Sequence, residues 1–219
     1  MIKNIIFDFD GVLVDSEMLV GKAFCKYFML RNIIFTEKDY SFYAGKKTVQ
    51  VIDELSEKFK INEKKEFFDD IMNIAQDIYS KDLTPVEGSK NFLEDNNFNY
   101  LIGSNSVKKR ILFGLKKVNF EKFIEDDKVF SFDMVENGKP YPDIYLKSIK
   151  TFNLDKDETV IIEDSAVGVE AGFNAGIKVF GLTAGGHWHS ERQTKELIDA
   201  GAYRIVDSYK NILIEINKL

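Results

Sequence analysis

The chain has 219 residues, 44% hydrophobic and 30% charged, the balance of a globular protein long enough for one domain plus an insert. A net charge of −6 argues against nucleic acid as a partner, so an anionic substrate must be drawn by local positive charge or a metal. The single cysteine, Cys25, excludes an internal disulfide, no apolar run approaches the roughly 18 residues of a membrane span, and Met1-Ile2-Lys3-Asn4 lacks a signal-peptide layout, so the expectation is a cytoplasmic monomer with no membrane partner.

Ile5-Ile6-Phe7 reads as a buried strand, too short for a core helix. Asp8 falls at its C-terminal end, Asp10 on the following turn, and Gly11 permits backbone angles that other residues resist. Two carboxylates this close repel unless a cation or a proton lies between them. The stretch is therefore half of a metal site or, equally on the local pattern, a strand followed by a solvated acidic turn.

Helical spacing follows. Ser16 is a candidate cap, and Leu19, Ala23, Phe24, Tyr27 and Phe28 recur at helical intervals, with Cys25 packed among them. Thr36 starts a second helix. Val49, Ile52, Leu55 and Phe59 mark a third, over residues 46–59. A fourth runs from Asn62 to about Tyr79. No convincing strand lies between residues 16 and 82.

Past Pro85 the pattern alternates. Strands are predicted at 100–103, 128–132, 158–162, 177–182 and 203–206. Helices are predicted at 89–96, 107–118, 144–152, 166–174, 192–200 and 209–217. Such alternation implies an α/β fold, a Rossmann-like, mostly parallel sheet with helices on both faces, binding ligands at the C-terminal ends of its strands. The expected organisation is a core of residues 1–15 and 83–219 with an all-helical insert of about four helices at 16–82. An insert that leaves beside the acidic turn reads as a cap over a site.

Four stretches carry chemistry. The first is Asp8-Phe9-Asp10-Gly11-Val12-Leu13-Val14-Asp15. The second, Gly103-Ser104-Asn105-Ser106, ends a strand with a hydroxyl, a pattern that is more often an ordinary turn. In the third, Asn137-Gly138-Lys139-Pro140-Tyr141-Pro142-Asp143, two prolines stiffen the loop around a lysine. The fourth is Glu163-Asp164-Ser165-Ala166-Val167-Gly168-Val169-Glu170-Ala171-Gly172, an acid pair at the end of a central strand. Its glycines suit close helix–strand packing, and Asn174-Ala175-Gly176 suits a helix C-cap.

These stretches, in this order and each after a predicted strand, resemble motifs I to IV of the haloacid dehalogenase superfamily, in its subgroup with a helical cap. The resemblance implies a Mg2+-dependent phosphoric monoester hydrolase. Asp8 would be the nucleophile that forms an aspartyl-phosphate, and Asp10 the acid and base. Ser104 and Asn105 would bind the phosphoryl group, and Lys139 would neutralise charge. Asp8, the Asp10 backbone carbonyl, Asp164 and Glu163 would form the metal site, Glu163 as a ligand or through a bound water. Asp10 itself separates the chain from the superfamily's dehalogenases and phosphonate hydrolases, which lack this second acid.

Phe42-Tyr43-Ala44-Gly45-Lys46-Lys47-Thr48 resembles the family's substrate loop, with Gly45, Lys46 and Lys47 as candidate substrate contacts or a solvated helix start. β-Phosphoglucomutase-like members carry an arginine where this chain has Thr48, and a threonine provides no charged bidentate clamp for a second phosphate. The expected substrate is therefore a small phosphorylated metabolite (a sugar, sugar-acid or glycolate phosphate), the alternative an intramolecular phosphomutase. His187-Trp188-His189 lacks an evident third ligand, and an exposed loop near the site entrance is expected there.

Overall fold

The apolar runs become parallel strands buried along nearly their whole length, as strands covered on both faces must be. The structure is a computed structural model that describes residues 1–43, 48–189 and 192–219. The chain divides into two units, Met1–Asp15 with Thr84–Leu219, and Ser16–Leu83. In chain order the elements are β1 (Asn4–Phe7), α1 (Glu17–Met29), α2 (Glu37–Ser41), α3 (Thr48–Phe59), α4 (Lys64–Asp82), α5 (Ser89–Asp95), β2 (Asn99–Ser104), α6 (Lys108–Lys117), β3 (Val129–Ser131), α7 (Asp143–Phe152), β4 (Thr159–Glu163), α8 (Ala166–Asn174), β5 (Lys178–Leu182), α9 (Lys195–Asp199), β6 (Arg204–Val206) and α10 (Tyr209–Ile216).

The first unit holds the sheet, six strands in the order β3-β2-β1-β4-β5-β6, every neighbour parallel. Phe7 pairs with Ile102 on one side and Ile162 on the other. Asp8, Ser104 and Glu163 therefore arrive at one edge of the sheet, where the strand order reverses and such folds open a binding crevice. Below that edge Ile6, Leu101, Phe130, Ile161 and Val179 of five strands pack with Ile144, Tyr145, Val169 and Leu197 of α7, α8 and α9.

A second cluster joins Phe7, Phe92, Tyr100 and Tyr209, with ring centroids 5.8 Å apart for Phe7–Tyr100 and 5.3 Å for Phe92–Tyr209. From it the Tyr209 hydroxyl donates to the Val12 carbonyl at 2.8 Å, so α10 holds the loop that follows β1. Gly11 on that loop has φ +77°, which glycine adopts at little cost. The loop closes through the Asp15 N–H on the Thr84 carbonyl, 2.9 Å, and the Val86 N–H on the Leu13 carbonyl, 3.1 Å.

The second unit consists of α1 to α4, without a strand among its described residues. Its core is aromatic. Tyr27 and Phe67 lie 4.5 Å apart, Phe28 and Phe59 4.6 Å, Phe28 and Phe35 4.9 Å. A fully buried phenylalanine of this kind typically costs about 3–5 kcal/mol when cut to alanine. Thr36 caps α2 reciprocally with Asp39, through bonds of 3.2 Å to the Asp39 N–H and 2.7 Å back from the Thr36 N–H. Ser16 differs from expectation. Its backbone is already helical, so its side chain makes no capping hydrogen bond to α1. Cys25 is half-buried rather than enclosed, and burial followed by Glu37 and Asp39 pushes its thiol up, away from reactivity.

Candidate active site

Three strand ends and one loop build the site. Asp8 follows β1, Ser104 closes β2, Glu163 closes β4 with Asp164 next to it, and Lys139 comes from the loop before α7. All five side chains are buried. The Lys139 ammonium sits 2.5 Å from Asp8 Oδ1 and 2.6 Å from Glu163 Oε1, with its side chain 2% exposed. Burial alone would discharge this lysine, but Asp8 and Glu163 outweigh it and hold the ammonium charged well above its usual range.

Charge balance tests whether a metal fits. Asp8, Glu163 and Asp164 are buried around one lysine. Burial first, then the neighbouring carboxylates, push Asp8 well above the ordinary carboxylate range, with Lys139 opposing. Burial and then Glu163 do the same to Asp164. An excess of buried negative charge is a demand for a cation, and the oxygen donors suit a hard one. Among the described residues no three His, Cys, Asp and Glu side chains form a closed cage. Magnesium does not need one, since it keeps waters and takes substrate oxygens beside one or two carboxylates. A methyl group at Gly11 would overlap the Asp164 carboxylate, so this glycine is required for the acid to close on the Asp10-Gly11 turn.

Glu163 is held through both of its oxygens. Oε1 accepts from Lys139 and, at 3.2 Å, from the Tyr145 hydroxyl. Oε2 accepts from the N–H groups of Asp164 and Ser165, both at 2.9 Å, and from Ser165 Oγ at 3.0 Å. Five donors surround the carboxylate, which is fully buried and anchors Lys139. Gly168 lies directly beneath it, because a side chain there would overlap Glu163.

The Asn105 side chain braces the lysine loop. Its Oδ1 accepts from the Lys139 N–H at 2.8 Å, and its Nδ2 donates to the Lys139 carbonyl at 3.2 Å. Both halves of the amide fasten the lysine's backbone. A methyl group at Gly138 would crowd Asn105 Oδ1, at 2.7 Å. The Ser104 hydroxyl accepts from the Ser106 N–H at 3.1 Å.

Asp10 is held by two residues that the motifs did not single out. Ser106 Oγ donates to Oδ2 at 2.5 Å, and Arg110 donates to Oδ1 at 2.9 Å. The Asp10 side chain is 16% exposed and Arg110 is 32% exposed. Ser106 lay inside a quoted motif, where its position in the turn was a signal for a second hydroxyl; nothing local marked Arg110.

The His187 loop is corrected by the structure. His187 is buried, with Nε2 2.9 Å from Asp164 Oδ2, whereas His189 is exposed. The expectation failed because two glycines allow the loop to tuck inward. Gly45, Lys46 and Lys47 lie outside the described residues.

A sheet of this order with acids on its first and fourth strands defines a class, and the comparisons agree. The description of the haloacid dehalogenase-like hydrolases matches residues 5–182, and the chain belongs to that family. It is 29% identical to a phosphorylated carbohydrates phosphatase of Thermotoga maritima, over 98% of this chain and 99% of the relative. It is 25% identical to a 6-phosphogluconate phosphatase of Escherichia coli, over 85% of each. A crystal structure from Thermotoga maritima, provisionally described as a β-phosphoglucomutase, matches with TM-score 0.82 and 27% identity over 100% of both chains.

Proposed function

We propose that this hydrolase is a magnesium-dependent phosphatase that acts on a sugar, sugar-acid or glycolate phosphate through an aspartyl-phosphate on Asp8. The observation that carries the reading is the buried Asp8–Lys139–Glu163 cluster, in which a carboxyl group at a strand end is kept beside a lysine ammonium. The names of the two phosphatase relatives support the substrate class.

Asp8 attacks phosphorus, its oxygen forming the new bond as the ester P–O bond breaks, and the leaving alkoxide takes a proton from Asp10. A water then attacks the same phosphorus, gives its proton to Asp10, and releases inorganic phosphate and free Asp8. Dividing one hard displacement into two is the gain of nucleophilic catalysis. Lys139 and the Ser104 hydroxyl balance charge on the phosphoryl oxygens, which is where most of the barrier is lowered. Asp8, the Asp10 carbonyl and Asp164 would hold Mg2+, which would supply further positive charge there. Ser106 and Arg110 keep the Asp10 carboxylate oriented between uses.

Asp10→Ala is expected to lower kcat by about 10²–10⁴, the range for a general acid–base group. The loss should be smaller for an aryl phosphate, whose leaving group needs little protonation, than for a sugar phosphate. Equal losses on the two substrates contradict the role. Thr48, in place of the arginine of β-phosphoglucomutase-like enzymes, supports hydrolysis over phosphoryl return.

The test is a panel of phosphorylated metabolites ranked by kcat/KM, with Mg2+ and with excess chelator, alongside β-glucose-1-phosphate supplied with a trace of its bisphosphate. Free phosphate that appears only with the cation is expected. Full activity in chelator, or rapid conversion to glucose-6-phosphate with little free phosphate, overturns the reading.

A further inference from the structure

The buried imidazole of His187 takes no part in the chemistry above, yet the loop around it fixes its position. A methyl group at Gly11 would approach its Cε1 at 3.0 Å, and one at Gly185 at 2.8 Å, so both glycines are needed to admit the ring. The Gly186 N–H donates to Asp15 Oδ1 at 3.2 Å, which ties the loop to the end of the first motif. The Trp188 N–H closes a turn on the Gly185 carbonyl at 2.9 Å, and the Arg192 guanidinium lies 4.0 Å from the centroid of the Trp188 ring. The result places His187 Nε2 at 2.9 Å from one oxygen of one acid, Asp164 Oδ2.

We propose that His187 is a positioning residue for the divalent cation. It fixes the orientation of the Asp164 carboxylate by binding Oδ2, so that Oδ1 is presented to the metal. This inference rests on the reading of Asp164 as a magnesium ligand. Without the histidine, a carboxylate crowded by Glu163 and Asp8 turns away or must be reordered each time a cation binds. Partners of this outer kind typically change metal affinity by about 10–100-fold when removed.

Titration of Mg2+ into the substrate-free protein by calorimetry tests it without reference to activity. His187→Ala is expected to bind Mg2+ about 10–100-fold more weakly than wild type. His187→Gln, which places an amide N–H near the former Nε2, recovers most of that loss. At saturating Mg2+ the kcat of both variants returns toward wild type, which a general structural defect would prevent. If the alanine variant does not fold, glutamine against the shorter asparagine carries the comparison, and asparagine must bind more weakly. An alanine variant that binds Mg2+ as wild type does, or a glutamine variant no better than alanine, overturns the inference while Asp164 remains a ligand. A wild-type protein that takes up no Mg2+ overturns the reading of Asp164, and this inference with it.

Discussion

Asp8→Asn is expected to abolish turnover and to leave the metal-free fold at least as stable as wild type. Asparagine keeps the shape at the end of β1 but removes the nucleophilic oxygen, and two neighbouring carboxylates are already engaged. Glu163 is surrounded by five donors, and Asp10 is bound by Ser106 and Arg110. The stability part follows from the sign of the shift. Burial first, with Glu163 and Asp164 adding to it, raises the folded pKa of Asp8 above its unfolded value despite Lys139. Such a group contributes stability below its unfolded pKa, near 3.9, and that contribution is lost as pH rises through the folded pKa. At neutral pH a carboxyl group at this position therefore costs the metal-free protein stability, and asparagine removes the cost. Melting curves without metal should place the variant at or above wild type at pH 7, with the difference shrinking as the solution is acidified toward pH 4. Appreciable Mg2+-dependent phosphate release by the variant contradicts the nucleophile assignment. A large drop in its melting temperature contradicts the excess-charge argument.

Lys139→Met should act in the opposite way, losing both activity and fold stability. Its ammonium is the one described lysine or arginine within salt-bridge reach of Asp8 and Glu163, and all three groups are shielded from water. Methionine fills the space but leaves two buried carboxylates facing each other. Breaking a buried ion pair from one side typically costs about 3–5 kcal/mol. Loss of a preorganised charge at the reacting group costs about 10²–10³ in kcat. Denaturant unfolding and steady-state kinetics measure the two effects separately. A variant as stable as wild type would contradict the buried cluster, whatever its activity. The pair of substitutions thus separates a carboxylate that the metal-free fold carries at a cost from a lysine that the fold requires.

Much of this site is legible in the sequence because each acid directly follows an apolar strand. Asp8 after Ile5-Ile6-Phe7, and Glu163-Asp164 after Val160-Ile161-Ile162, need only the strand period and the rule that parallel sheets bind ligands at their carboxyl ends. Lys139 is marked by its two flanking prolines. What local pattern does not carry is who meets whom across the fold. Arg110 reaches Asp10 across 100 positions, and Asn105 reaches Lys139 across 34. Motif spacing does not show the donors around Glu163, which come from the turn after β4, from α7 and from Lys139. Without an evident third ligand the His187 loop reads as exposed, although Gly185 and Gly11 make room for the ring. In α3 the period places Val49 inward with Ile52, yet Val49 is 58% exposed and Val51 is buried. Periodicity sets the phase of a helix but not how far along it a packing partner extends.

The central claim is that phosphate leaves its ester by way of Asp8. Acid quench of the enzyme during turnover of a sugar phosphate with Mg2+, followed by peptide mass spectrometry, tests it most directly. The account predicts a phosphoryl adduct on the peptide that contains Asp8, absent from Asp8→Asn, together with steady release of inorganic phosphate. Full turnover with no adduct on that peptide, or an adduct on another residue, would contradict it.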